Sequence, residues 1–286
     1  MVIKAIQANF LSAITANRQI GANNAKLGAN LAKISSGKAI NKASDGAAAL
    51  SIIQALESDL KSANQAQRNI SDGASLTRVA EGGLNEISSL LSRGRELSVQ
   101  AANGTLSDSQ RATLNNEVTA IKEEINRITG TTEFNGQKLL DGSLAPGSSN
   151  QVSVQAGIQN TPADSISLNQ IDSSTTSSLG VDSVDISSQQ GARDALASFD
   201  SAIQTVATNR ANIGSLQNRL DSSAQNLSVT RENLASAKST LQSLDYASET
   251  ADAKKNQVMV QAGIASLTQG LQTQSSLIGS LLNTQG

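Results

Sequence analysis

The sequence predicts a mainly α protein: a long antiparallel helical hairpin or coiled-coil bundle with one small β-hairpin, its terminal helices paired as a coiled coil. Three observations carry that expectation. The only prolines, Pro146 and Pro162, fall in the middle of 286 residues, so both flanks lack the residue that breaks helices. Aromatic residues make up 1% of the chain (Phe10, Phe134, Phe199 and Tyr246), which leaves Ala, Leu, Ile and Val to fill a core, a composition suited to helix against helix. Apolar residues then recur at alternate spacings of three and four along both arms, the repeat of packed helices.

The first helix is expected over residues 1–34, with a seam of Ile3, Ile6, Phe10, Ala13, Asn17, Ile20, Asn24, Leu27, Leu31 and Ile34. The two asparagines are polar interruptions of the kind that set register at some cost in stability. Gly37 ends the pattern, and "SSGKAINKASDG" reads as a connector in which Ser44 or Asp45 caps the next helix. A long helical stretch continues through Ile53, Leu56, Leu60, Ala63, Ile70, Ala74, Leu84, Ile87, Leu91 and Leu97 to Asn103-Gly104, softest at Gly82-Gly83 and Gly94. A third helix starts at Ser107, where Ser107 and Gln110 have capping-box spacing, and its stripe is Leu114, Val118, Ile121, Ile125 and Ile128, ending at Gly130.

Between Asp141 and Ser188 the chain turns rich in Ser, Gly, Thr and Asp. "QVSVQAGI" (Gln151–Ile158) and "SISLNQI" (Ser165–Ile171) alternate apolar and polar residues around "QNTPAD", as a β-hairpin does. The next stretch, "DSSTTSSLGVDSVDISS", reads as an exposed loop. On the return arm Phe199, Val206, Ile213, Leu220, Leu227, Leu234 and Leu241 recur every seven residues, with Ile203, Arg210, Gln217, Ala224, Arg231 and Lys238 as companions. One helix over Gln190–Leu244 would be about 80 Å long at the α-helical rise, and it stays folded only by lying along the helices of residues 41–130. After Tyr246 the pattern resumes with Val260, Ile264, Leu267, Leu271, Ile278 and Leu281, Gln274 sharing the seam. The segments are therefore 1–40, 41–140, 141–188, 189–244 and 245–286.

Composition excludes several functions. Net charge is −2, from 22 basic and 24 acidic residues, which provides no field for nucleic acid or an anionic membrane. Cys and His are absent, and with them disulfides, thiol nucleophiles, imidazole bases and the usual zinc sites. No cofactor, metal or catalytic site is expected, since nothing groups a Ser–Lys pair, or carboxylates such as Asp108 and Glu117, in a pocket. "MVIKAIQANFLSAITANRQ" lacks the unbroken apolar stretch of a signal peptide, interrupted at Gln7, Ala8 and Asn9, and no segment reaches the roughly 20 apolar residues of a membrane span.

The ends carry the strongest functional signal. From Asn256 onward there is no Asp, Glu, Lys or Arg, and the first 34 residues hold Lys4, Arg18, Lys26 and Lys33 but no acid. An exposed coiled coil surrounds its seam with Glu and Lys; neutral groups can instead be covered without desolvating ions. Two helices cover only the seam between them, whereas many copies around an axis cover the rest. A polymerisation core of Ile3, Ile6, Phe10, Ile20, Leu27, Leu31, Ile34, Val260, Ile264, Leu267, Leu271, Ile278 and Leu281 is expected, disordered in the free chain and folding on assembly.

Four stretches then resemble one family: "LAKISSGKAINKASDGAAALSI" (Leu31–Ile52), "AEGGLNEISSLLSRGRELSVQAANGT" (Ala80–Thr105), "INRITGTTEFNGQKLL" (Ile125–Leu140) and "LQSLDYASETADAKKNQVMVQAG" (Leu241–Gly263). They are similar to bacterial flagellin, the filament protein of the flagellum. The resemblance implies a helical hairpin whose termini form the inner core of a tube, a surrounding shell of long helices with a β-hairpin, and an outward variable domain that here shrinks to about Asp172–Ser188. It implies a helical homopolymer serving motility outside the cell. It also implies export without a cleaved signal through the flagellar type III apparatus, a secretion chaperone covering Leu241–Leu282, and contact with filament cap and hook-junction proteins. Carried over by position, contacts to an animal Toll-like receptor would be Arg93, Leu97 and Glu117, although Gly94 stands where well-recognised members have a bulkier aliphatic residue. Ser173, Ser174, Thr175, Thr176, Ser177 and Ser178 would be candidates for O-linked sugar. The chain ends Leu281, Leu282, Asn283, Thr284, Gln285, Gly286, without the family's common Leu-Leu-Arg ending. The alternative readings are a hook–filament junction protein with flagellin-like ends and a secreted coiled-coil adhesin.

Overall fold

A computed structural model of the chain describes the backbone of residues 2–282 and the side chains of residues 7–276, 278 and 279. Five long helices carry it: α1 (Val2–Ser36), α2 (Ala47–Ala101), α3 (Asp108–Thr131), α4 (Gln189–Gln242) and α5 (Tyr246–Leu282). Two short hairpins, β1 (Glu133–Phe134) with β2 (Gln137–Lys138) and β3 (Ser153–Gln155) with β4 (Ser165–Ser167), lie between α3 and α4 in sequence. The residues divide into two compact units, one of residues 59–233 and one of those up to Ser58 and from Leu234 onward.

In the central unit the heptad repeat is unbroken. On α2, Ala63, Ala66, Ile70, Gly73, Thr77, Ala80, Leu84, Ile87, Leu91, Gly94, Ser98 and Ala101 are all buried, alternating three and four apart. On α4, Ala192, Ala195, Phe199, Ala202, Val206, Asn209, Ile213, Leu216 and Leu220 do the same. Each fully buried Leu or Ile in these rows contributes about 1.5–3 kcal/mol of transfer free energy. The two helices run antiparallel: Glu81 pairs with Arg210 (2.9 Å) and, further along α2 but further back on α4, Arg95 pairs with Asp200 (2.6 Å). The sequence placed the second α4 row at Ile203, Arg210 and Gln217; these are only half-buried, and Ala202, Asn209 and Leu216 take the seam instead. Arg210 sits at the edge, where its guanidinium meets Glu81 without entering the core.

Gly83 and Gly94 are points of close approach, Gly82 is open to solvent, and the helix passes through all three unbroken. A Cβ at Gly94 would stand 2.6 Å from two ring carbons of Phe199, and one at Gly83 would stand 2.7 Å from Leu140. Phe199, fully buried, fills this part of the seam because its neighbour has no side chain.

At the other side of the bundle, α3 begins with the capping box expected of Ser107 and Gln110: Gln110 N donates to Ser107 Oγ (3.3 Å) and Ser107 N donates to Gln110 Oε1 (2.9 Å). Val118, Ile121 and Ile125 are buried as expected, and Arg111 joins them. Its guanidinium donates to Ala101 O (2.8 Å), a carbonyl left over where α2 ends, to Asn103 O (2.9 Å) and to Asp108 Oδ1 (2.8 Å). A charged cap on orphan carbonyls at a helix C-terminus suits both hydrogen bonding and the helix dipole.

The expected hairpin forms as β3 and β4, with Val154 opposite Ile166. The β1–β2 hairpin was not expected, although "FNGQ" holds its signal: Asn135 (φ 52°) and Gly136 (φ 77°) make the left-handed two-residue turn between Phe134 and Gln137. The segment after β4 corrects a second expectation. It has no regular structure from Asp172 to Ser188, yet Leu179, Val181, Val184 and Ile186 are buried. Asparagines satisfy its backbone: Asn209 Nδ2 donates to Asp172 O (3.1 Å), Thr176 N donates to Asn126 Oδ1 (3.1 Å) and Ile186 N to Asn115 Oδ1 (3.0 Å). Lys122 Nζ donates to Asp182 O and Val184 O, each 3.0 Å away.

Two substitutions test this packing. Gly94→Ala gains about 1 kcal/mol of helix propensity but forces a methyl into the Phe199 ring, and overpacking costs about 1–3 kcal/mol; a lower thermal midpoint, partly restored by Phe199→Leu, is expected, and an unchanged midpoint would show that the contact relaxes freely. Arg111→Ala strands the buried Ala101 carbonyl, so denaturant unfolding should show a loss of about 2 kcal/mol, against less than half of that if water replaces the guanidinium.

Candidate functional site

The other unit is organised by a clasp between two connectors. Ala39 N donates to Gln242 O (2.8 Å), Leu244 N donates to Gly37 O (3.3 Å), and Lys38 and Ser243 form an antiparallel bridge. Gly37 takes φ +68°, and a Cβ there would lie 2.7 Å from the Tyr246 hydroxyl oxygen. Beside the clasp, Asp45 accepts hydrogen bonds from Asn41 N (3.0 Å) and Lys42 N (3.1 Å). Those bonds, Asn41's foremost, hold its carboxyl below the usual aspartate range. Asp45 thus serves the connector before it, where the sequence suggested a cap for the helix after it.

From the clasp, α1 and α5 pack along one another in antiparallel order: Lys33 reaches Glu249 (3.9 Å), and much earlier in α1, Ile20 lies against Gly263. The facing row on α1 is Ala13, Ala16, Ile20, Asn23, Leu27, Asn30 and Ile34; on α5 it is Glu249, Ala253, Asn256, Val260, Gly263, Leu267 and Gln274, all buried or half-buried. The spacing of three and four holds along α1 and along α5 as far as Leu267, but its phase corrects the sequence reading. Asn17, Asn24 and Leu31 are exposed, and Ala16, Asn23 and Asn30 face α5 in their place.

The structure therefore splits the expected polymerisation core. Ile20, Leu27, Ile34, Val260 and Leu267 are half-buried on the seam within the chain. Phe10 (60% exposed), Leu31 (53%), Ile264, Leu271 (52%) and Ile278 point away from it, together with Leu11 and Val258. The side chains of Ile3, Ile6 and Leu281 lie outside the described residues. An apolar surface of this extent is more than scattered exposure, and it carries few charges to keep water on it. Several of its hydroxyls are already engaged: Ser12 Oγ donates to Ala8 O, Thr268 Oγ1 to Ala265 O and Thr273 Oγ1 to Gln269 O, each at 2.8 Å. A hydroxyl bonded to its own helix can be covered at little further cost, a feature that composition alone did not reveal.

The remaining expected sites lie in the central unit. Arg93 Nε donates to Glu117 Oε1 (2.9 Å) and Nη1 to Glu96 Oε2 (2.7 Å), all at the surface. Glu96 and then Glu117 raise the pKa of the guanidinium above its ordinary value. Leu97, by contrast, is buried and offers no surface for contact. A bulkier residue at Gly94 is excluded by Phe199. Of the Ser/Thr cluster, Ser177 and Ser178 are exposed, Ser173 and Thr175 are half-buried, and Ser174 and Thr176 are buried; the cluster is not the uniformly open loop expected. Among the described residues no helix is long and apolar enough to cross a membrane.

Comparison with known proteins agrees with this geometry. Residues 7–145 match the family model of the bacterial flagellin N-terminal helical region, and residues 196–282 that of the C-terminal helical region. A flagellar filament 30.7 kDa core protein of Treponema maltophilum is 36% identical over 267 residues, covering 91% of this chain and 93% of its own. A flagellin of Halalkalibacterium halodurans is 35% identical over 268 residues, covering 94% and 96%. A solved structure of a putative flagellar hook-associated protein from Vibrio parahaemolyticus shares the fold with TM-score 0.58 at 18% identity, over 70% of this chain and all of that one.

The clasp can be tested through its tyrosine, since the chain has one Tyr and no Trp. Gly37→Ala places a side chain in left-handed backbone, at a cost of about 1–2 kcal/mol, and against the Tyr246 ring. Tyrosine fluorescence should become more accessible to acrylamide; equal quenching in both chains would mean that the ring does not rest on Gly37.

Proposed function

This chain belongs to the bacterial flagellin family and is a structural subunit of the flagellar filament; from that premise we propose that the outer faces of α1 and α5 are the surface enclosed by neighbouring copies. One observation carries the reading: Phe10, Leu11, Leu31, Ile264, Leu271 and Ile278 stand exposed on helices whose facing rows are already used within the chain. Covering the exposed half of each Leu or Ile adds about 1 kcal/mol, and summed over these residues in every subunit that favours polymerisation. No ion need be desolvated from Asn256 to Gly279, so little opposes it.

The filament is the location of such a subunit, outside the cell. The hook–filament junction reading and the adhesin reading are not favoured, because filament core proteins and flagellins match the chain almost end to end. For the partners that remain, the family resemblance supports passage through the flagellar type III apparatus without a cleaved signal, a chaperone on α5 before export, and a filament cap that guides addition. A Toll-like receptor contact of the implied kind rests on Arg93 and Glu117 alone, with Leu97 contributing only to the core beneath them. Sugar on the outer segment would fall at Ser177 and Ser178.

Leu271→Glu and Leu31→Glu separate assembly from folding. Both residues are exposed in the chain by itself, so circular dichroism and thermal unfolding of the free subunit should not change. Seeded growth followed by light scattering should fail, or need at least about tenfold more subunit, the equivalent of about 1.4 kcal/mol per added copy. Growth at the parent's critical concentration would show that these positions remain wet in the polymer.

A further inference from the structure

The amide nitrogen of a glycine can attack the side chain of a preceding Asn or Asp, and the chain offers that arrangement at Asp45-Gly46, Asp72-Gly73, Asn103-Gly104, Asn135-Gly136 and Asp141-Gly142. The fold treats them unequally. Gly73 lies inside α2, where its amide belongs to the helical ladder. Asp45 turns its carboxylate back to Asn41 N and Lys42 N. Asp141 Oδ1 reaches forward to Ser143 N (2.9 Å), but a carboxylate is ionised near neutral pH and resists a nucleophile. Asn135 and Gly136 are fixed in the left-handed turn that the pairing of Phe134 with Gln137 closes. Asn103-Gly104 stands apart from all of these. Asn103, Gly104 and Thr105 are exposed between α2 and α3, and Gly104 N donates to no group among the described residues. Asn103 Oδ1 accepts from Thr105 N (3.1 Å), which folds the side chain forward over Gly104 and polarises its amide carbonyl.

We infer that Asn103 is a site of spontaneous deamidation and that Arg111 directs its product to isoaspartate. In the first step Gly104 N attacks Asn103 Cγ: the N–Cγ bond forms, the Cγ–Nδ2 bond breaks, and ammonia leaves with the amide proton, closing a succinimide ring. Water then opens the ring at either carbonyl. Addition at the Asn103 main-chain carbonyl breaks its bond to Gly104 N and leaves isoaspartate; addition at Cγ leaves aspartate. Arg111 Nη2 donates to the Asn103 main-chain oxygen (2.9 Å), as does Leu106 N (3.3 Å), so the carbonyl polarised for attack is the one that yields isoaspartate. The same oxygen becomes part of the new free carboxylate, and the guanidinium already in place holds it by a charge-assisted bond. Arg111 acts here as a positioning residue, held by Ala101 O and Asp108 as well. Each event inserts a methylene into the main chain between α2 and α3 and adds a negative charge to a chain of net charge −2. Neither step needs an enzyme, so the converted fraction rises with the age of the protein.

The test ages the full chain in warm, mildly alkaline buffer, folded and in denaturant, and reads each site by peptide mapping with mass spectrometry and isoaspartyl methyltransferase labelling. Relative to their rates in denaturant, Asn103 should outrun Asn135 by at least about tenfold once the chain is folded, a free glycine against one fixed in a hairpin turn. Gly104→Ala should slow Asn103 by a similar factor of about ten, because a Cβ restricts the backbone rotation that ring closure needs. That variant is accommodated: Gly104 is not in the left-handed region, and its Cβ would meet only the end of the Gln189 side chain, at 3.3 Å. The isoaspartate-to-aspartate ratio at Asn103 should be higher in the folded chain than in denaturant. Arg111→Ala should remove that excess while Asn135 stays slow, which shows the variant still folded. Equal relative rates at Asn103 and Asn135 in the folded parent, or an unchanged rate in Gly104→Ala, would overturn the site. Equal product ratios at Asn103 in the folded and denatured parent would overturn the role of Arg111, whatever becomes of its variant.

Discussion

Every long helix in this chain is held by pressing one heptad stripe against a neighbour, and three phenylalanines with one tyrosine leave that stripe to small and aliphatic residues. A helix of 54 or 55 residues has no stability of its own to speak of; packing along its length supplies it. The consequences run through the fold. Ala, Gly, Ser and Thr on the α2 row allow close approach, and the one large ring, Phe199, is seated where Gly94 removes a side chain. Tight seams then leave little room for irregular backbone inside, so the segment after β4 lies over the bundle with its polar groups met by Asn115, Asn126, Asn209 and Lys122.

The two units spend their apolar residues in opposite directions. In the central one, aliphatic rows close on each other and the surface carries ion pairs such as Arg93–Glu117 and Arg95–Asp200. Exposed pairs of this kind add little stability, but they keep the surface hydrated and specific. In the terminal pair the facing rows mix aliphatic residues with amides and glycine, and further aliphatic residues are presented outward. Under the proposed assembly, neighbouring copies cover that surface.

Connectors reconcile the two patterns. Gly37 and Gln242 end α1 and α4 at one clasp, where backbone groups orphaned by the helix ends pair with each other in place of water. Arg111 performs the same service at the end of α2, where a charged side chain reaches the Ala101 and Asn103 carbonyls.

The sequence by itself determined the helices, their order and the terminal and return-arm repeats, because heptad spacing and proline placement are local properties that need no partner to be read. It determined the neutral ends, and so the expectation of many copies. It also held the turn at Asn135-Gly136, which escaped notice as a hairpin because two residues of strand make no visible alternation. Only the tertiary structure decided which row faces inward. Positions three and four residues beyond an apolar one lie on either side of it, about 100° apart around the helix, and both fit within the width of an amphipathic stripe. Leu31 against Asn30, and Ile203 against Ala202, were therefore equally admissible until a neighbouring helix was in place. The apolar choice, natural for a chain alone, was wrong at both: Leu31 faces away from α5 and Ile203 lies on the flank of the bundle.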